Sequence, residues 1–214
     1  MRTIYLDEDK TAWLEVSTLP DDLKTYATEN FDTLFNLHPE KKGNVLVFNK
    51  DHENPDWHEI ECFRYCKSYL NTPKFDNTVM KSYMFSGHDS NGINDPLPIE
   101  FQPFYEYMKD YNQVIVNWYE KDDYIPPHSD CDAYMIENYN IGLINLSPSS
   151  SCHRYFDLQS RNPDITLYST YSQPLLHGTV IKMCGKTQQL FTHSVGKGLY
   201  EGDNRRIGIS FRQF

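Results

Sequence analysis

From Gln113 onward the chain breaks into short β-rich runs separated by clusters of Pro, Ser, Gly and Asp, and this rhythm restricts the fold more than any other feature. The runs are VIVNWY (114–119), YNIGLINLS (139–147), RYFDL (154–158), TVIKMC (179–184) and RIGISFR (206–212). Runs of five to nine residues bounded by turn formers match strands and are too short for amphipathic helices. They predict an all-β half folded as a sandwich or jelly roll.

The front half reads differently. In LPDDLKTYATENFDTLF, Leu23, Ala27, Phe31 and Leu34 follow at steps of 4, 4 and 3, one face of a helix, with Pro20 suited to its first turn. A second helix is expected from about Pro55 to Leu70, capped by Asn54, with Ile60, Phe63, Cys66 and Leu70 on a shared face. Cys62 and Cys66 would sit four apart on it, and with no second pair nearby they read as ordinary thiols rather than zinc ligands. DSNGINDPLP (89–98) marks a loop before a short helix in EFQPFYEYMKDY. No linker or repeat divides the halves, so the expected fold is mainly β with flanking helices (α+β) in one domain.

Composition bounds the environment. Tyr (16) and Phe (12) are abundant and hydrophobic residues make up 39%, which argues against disorder. No run approaches the roughly 18 apolar residues of a membrane span, and MRTIYLDEDK has no signal-like apolar core. Five scattered cysteines do not form a disulfide framework. A monomer without membrane contact, in the cytoplasm or nucleus and not secreted, is expected. The net charge of -10 is lopsided: residues 1–110 hold 11 Lys+Arg against 20 Asp+Glu, residues 111–214 hold 9 against 10. That balance counts against broad charge-driven binding to duplex nucleic acid.

The strongest chemical signal is IPPHSDCD, where His128 and Asp130, two apart in an extended segment, project to the same side. His193 in QLFTHSV lies on another expected strand, which a β-sandwich can bring opposite that pair. Two histidines and one carboxylate form a facial triad that leaves positions open on a non-haem Fe(II) for substrate and dioxygen. In RIGISFR, alternation sends Ile207, Ile209 and Phe211 to one face and Arg206, Gly208, Ser210 and Arg212 to the other. The two arginine backbones would be about 20 Å apart at roughly 3.3 Å per residue, suited to opposite ends of an extended diacid or, equally, to a solvated outer face. Asn117 and Tyr119 repeat the two-residue spacing on VIVNWY, offering an amide and a phenol on one face, either to a buried ligand or to hydrogen bonds within the fold.

Taken in order, NWY, HSD, LLHGTVIKMCG, TH and RIGISFR resemble the AlkB-type Fe(II)- and 2-oxoglutarate-dependent dioxygenases, whose pattern is N-x-Y, H-x-D, an HG-containing strand, a distal H and R-x5-R. The resemblance extends upstream through VLVFNK and SYMFSG, covering 45–214 as the dioxygenase domain and leaving 1–44 as an N-terminal extension packed on the core. It implies a double-stranded β-helix (jelly-roll) core, with Fe(II) held by His128, Asp130 and His193 and with 2-oxoglutarate and O2 as cosubstrates. It further implies that Arg206 and Tyr119 meet the distal carboxylate of 2-oxoglutarate, while Asn117 and Arg212 serve its metal-chelating end and the Asp130 carboxylate. The activity implied is hydroxylation of an N-methyl group, which leaves as formaldehyde.

By the same resemblance, Asp132 would hydrogen-bond the exocyclic amine of a flipped base, and Tyr83 and Phe85 would stack on it. The partner implied is nucleic acid, single-stranded DNA or RNA. A protein side chain as substrate and a non-catalytic binding module are the alternatives. The chain also departs from the pattern: Gly208 stands where many members have the Asn of R-x-N, Trp118 where many have the Arg of N-R-Y, and SPSSSCHRYF replaces the commoner serine-glycine turn.

Overall fold

All five β-rich runs form strands in the computed structural model, which describes residues 1–49, 56–70, 84–85, 88–89, 95–130, 139–148, 154–199 and 202–213. The elements in order are β1 (Arg2–Tyr5), β2 (Ala12–Thr18), α1 (Asp21–Glu29), α2 (Phe31–Phe35), β3 (Asn44–Asn49), β4 (Asp56–Glu61), β5 (Tyr65–Leu70), β6 (Met84–Phe85), β7 (His88–Asp89), α3 (Gln102–Tyr107), β8 (Gln113–Tyr119), β9 (Ile125–His128), β10 (Ile141–Leu146), β11 (Tyr155–Ser160), β12 (Thr170–Pro174), β13 (Thr179–Gly185), α4 (Thr187–Leu190), β14 (Phe191–Val195) and β15 (Arg206–Arg212).

Two antiparallel sheets make the double-stranded β-helix: a seven-stranded sheet in the order β1-β2-β13-β10-β15-β8-β5 and a four-stranded sheet in the order β12-β11-β14-β9. Residues 12–18 upstream of the expected domain pair along β13, so the N-terminal strands extend the large sheet. The apolar stripe expected on one front helix is shared by α1 and α2, which bury Ala27, Phe31 and Leu34.

The helix expected over 55–70 is overturned. Asp56–Glu61 pairs with β3, and Tyr65–Leu70 runs antiparallel to β8, from Tyr65 opposite Trp118 to Leu70 opposite Gln113. The helical spacing of apolar residues there is outweighed by an open ladder edge on β8, which a segment carrying two tyrosines can complete. Cys62 and Cys66 therefore share no helical face: Cys62 is buried beyond β4, and Cys66 lies opposite Asn117. Asn54 and Pro55 lie outside the described residues.

Each face of the large sheet has its own core. Val114, Val116, Trp118, Ile207, Ile209 and Phe211 turn toward the helices and meet Phe31, Leu34, Phe101 and Phe104. Trp118 is fully buried, and its indole Nε1 donates to the Leu34 carbonyl at 2.9 Å, tying α2 to β8. Between the sheets, Leu14, Ile141, Ile181 and Met183 meet Phe156, Leu158, Phe191 and Val195. The polar face of β15 thus points into the space between the sheets, not to solvent, and both faces of that strand are covered.

Candidate functional site

Alternation alone sets His128 and Asp130 on one side of an extended segment, and strand pairing brings the third residue: His193 on β14 is the register partner of His128 on β9. The imidazole centroids are 4.2 Å apart, and one ligand atom from each of His128, Asp130 and His193 lies within 4.8 Å of the others. His128 Nδ1 faces the Pro126 carbonyl at 2.9 Å. A carbonyl only accepts, so Nδ1 carries the proton and Nε2, 3.7 Å from Asp130 Oδ1, keeps its lone pair for a metal. Ser129 between the two ligands donates to the Phe191 carbonyl at 3.3 Å, fastening the segment to the start of β14.

Arg212 clamps the carboxylate from the opposite sheet, its Nε and Nη2 donating to Asp130 Oδ2 at 3.0 and 2.6 Å. Burial alone would raise the Asp130 carboxyl, but Arg212, His193 and His128 together hold it well below the usual carboxylate range. Burial lowers His128, and burial with the neighbouring His128 takes His193 down to about 3. At neutral pH all three groups are in the deprotonated form that binds a cation.

The cavity at this cluster is also lined by Arg64, Asn117, Tyr119, Arg206, Gly208 and Arg212, with Ile115, Ile125, Leu143, Met183 and Phe156 as apolar walls. Arg206 is 3% exposed, yet neither Nη atom has a hydrogen-bond partner among the described residues. Its guanidinium carbon stands over the Tyr119 ring, 4.5 Å from the centroid, a cation–π placement. Burial pulls its pKa below the ordinary arginine value. A buried fork with two open donors suits a carboxylate, and a clustered His-Asp-His set suits a divalent cation, so the residues fit Fe(II) and a 2-oxo diacid.

Asn117, Tyr119, His128, Asp130, His193, Arg206 and Arg212 are thus brought to one cavity. Tyr83 and Asp132 lie outside the described residues, and of Phe85 only the backbone is described, paired with His88. Sequence reasoning missed Arg64, whose Nε donates to Asn117 Oδ1 at 2.7 Å inside the cavity. Assigning 55–70 to a helix hid it, since the turn between β4 and β5 is what carries it inward. Arg154 adds no exposed positive charge at the cavity mouth: it is 2% exposed and donates to the Asp123, Gly196 and Glu120 carbonyls. Arg161 reaches Ser129 beside His128, and Lys197 lies over the Tyr124 ring at 5.7 Å.

A double-stranded β-helix enclosing a two-histidine, one-carboxylate cluster with a buried arginine fork is the scaffold of an iron-dependent oxygenase. The profile of the 2OG-Fe(II) oxygenase superfamily matches residues 43–212, and the chain belongs to that superfamily. It is an oxidoreductase whose cofactor is Fe(II), with 2-oxoglutarate and O2 as cosubstrates. Similar solved structures include an oxidoreductase of the 2OG-Fe(II) oxygenase family from Burkholderia pseudomallei, 15% identical at a TM-score of 0.50, covering 92% of this chain and 84% of that one. The structure of OsALKBH1 is 12% identical at a TM-score of 0.50, covering 94% of this chain and 97% of that one. At these identities the likeness is one of fold. No curated protein matches the chain in sequence. No described helix is long and apolar enough to cross a membrane.

Proposed function

We propose that the protein is an AlkB-type oxidative demethylase of N-alkylated nucleobases, of the 1-methyladenine or 3-methylcytosine type, in single-stranded DNA or RNA. The observation that carries this reading is that the residues of the ordered motif, drawn from β8, β15 and the β9–β14 pair, all line one cavity. His128, Asp130 and His193 hold Fe(II). Arg212 keeps Asp130 ionised and aimed. Arg206 and Tyr119 receive the distal carboxylate of 2-oxoglutarate, and Asn117, its carbonyl oxygen engaged by Arg64, offers its amide hydrogens to the chelating end. Bound Fe(II) and 2-oxoglutarate supply dioxygen activation, coupling decarboxylation to succinate with oxidation of a substrate N-methyl group that leaves as formaldehyde. Ile115, Ile125, Leu143 and Met183 limit water at the reacting atoms.

A nucleobase substrate is supported by the aromatic pair Phe63 and Tyr124, stacked at 4.5 Å, each next in sequence to a cavity residue, Arg64 and Ile125. Half-exposed rings flanked by Lys197 suit a single strand, where stacking replaces duplex opening. The net charge of -10 favours a second reading, a protein side chain as substrate.

The test is anaerobic loading with Fe(II) and 2-oxoglutarate followed by aerobic turnover on 1-methyladenine and 3-methylcytosine oligonucleotides, single- and double-stranded, beside Asp130→Ala. Formaldehyde matching the loss of methylated base, absent in the variant and greater on single strands, is the expected result. Succinate without base repair would move the search to protein substrates.

A further inference from the structure

We infer that Asn145 is a positioning residue for the cosubstrate, holding Arg206 so that only its two Nη atoms face the cavity and so dictating an end-on grip on the distal carboxylate. The inference rests on the role proposed for Arg206 above. Asn145 lies on β10, the central neighbour of β15, directly opposite Gly208 in the ladder, and is wholly buried. Its Oδ1 accepts from Arg206 Nε at 2.5 Å, while its Nδ2 donates to the Leu175 and Leu176 carbonyls at 3.0 and 2.9 Å. Arginine only donates and carbonyls only accept, so a single orientation of the amide satisfies all three contacts. Flipping the amide would set donor against donor at Arg206 and acceptor against acceptor at both carbonyls.

The guanidinium is then bounded on its remaining sides. The Tyr119 ring lies against it at 4.5 Å, and Gly208 lies beneath it: a Cβ at 208 would stand 2.7 and 2.8 Å from the two Nη atoms. With Nε taken by Asn145, a side-on fork through Nε and one Nη is closed. The end-on fork through both Nη atoms is left, and both lack partners among the described residues. The departure from R-x-N at Gly208 acquires a reason, since any side chain there would occupy the space of the Arg206 head, and the neighbouring strand supplies an amide instead.

The experiment measures binding to Mn(II)-loaded protein by calorimetry, with 2-oxoglutarate and with pyruvate, a 2-oxo acid that has no distal carboxylate. Asn145→Asp places a competing carboxylate at Nε, and Gly208→Ala displaces the guanidinium without touching Asn145. Each is expected to weaken 2-oxoglutarate on the order of tenfold to a hundredfold, the worth of a charge-assisted hydrogen bond, while pyruvate changes less than about twofold. Thermal unfolding of both variants confirms that folded protein is titrated. Equal losses for both ligands, or none, would overturn the positioning role. Arg206→Met separates the two levels: if it leaves the preference for 2-oxoglutarate over pyruvate intact, the role proposed for Arg206 fails and the inference with it. If it abolishes that preference while Asn145→Asp and Gly208→Ala preserve it, only the inference fails.

Discussion

On the helix side of β8 and β15, Val114, Val116, Trp118, Ile207, Ile209 and Phe211 pack against helical phenylalanines and leucines; on the other side of the same strands stand Asn117, Tyr119, Arg206, Gly208 and Arg212. Both sides are buried. The helix side gains its stability from apolar area removed from water, at about 25 cal/mol per Å2. The cavity on the inner side holds three arginines, Arg64, Arg206 and Arg212, against one described carboxylate, and Arg206 keeps open donors where a packed core would keep none. One set of strands therefore performs two tasks, with folding strength on one face and binding capacity on the other.

The comparison breaks most visibly at Asp130. Asp130→Ala removes a metal ligand and deprives buried Arg212 of that counter-charge, so we expect loss of Mn(II) binding together with about 3–5 kcal/mol of apo-protein stability by urea denaturation. A variant that kept its stability would mean the inner face tolerates an isolated charge. Trp118→Ala is the counterpart on the helix side: it should lower stability by a similar 3–5 kcal/mol or so while the folded fraction binds Mn(II) with unchanged affinity. Weakened metal binding there would show the two faces to be coupled.

Arg206→Met should leave apo-protein stability unchanged or raise it, by up to about 1–4 kcal/mol, while abolishing the grip on 2-oxoglutarate. A loss like that of Trp118→Ala would place Arg206 in the folding core instead. Per pH unit, the smallest effect is the pH dependence. Burial first, then His128, holds His193 near 3 against an ordinary 6.5, so between those values the unfolded chain binds a proton that the folded apo-protein refuses. Stability is therefore full above about 6.5 and falls as pH drops toward 3, by about 1.4 kcal/mol per pH unit. Asp130, depressed below an ordinary 3.8, adds a further loss only in stronger acid. Urea midpoints at several pH values should show this slope, and His193→Phe should flatten it.

Much of this was legible in the chain itself. The turn-bounded runs specify strands, and the two-residue spacings of Asn117 with Tyr119 and of His128 with Asp130 specify shared faces, because side chains alternate on any extended backbone. The stripe through Ala27, Phe31 and Leu34 marks what the helices bury. The segment 55–70 misleads, because its apolar spacing suits a helix while the strand state depends on partners far away in sequence, β3 and β8. Arg64 escaped notice for the same reason.

Periodicity says that Arg206 and Arg212 share a face, but a single strand carries no information about whether that face meets water or another sheet. Stacking of the four-stranded sheet settles this for β15 and sets Arg212 against Asp130, while pairing of β15 with β10 sets Arg206 within reach of Asn145. Alternation is a local property of the peptide and is written in the order of residues; burial, charge pairing and the meeting of His128 with His193 arise only when distant segments are brought together, and those were decided by the tertiary structure.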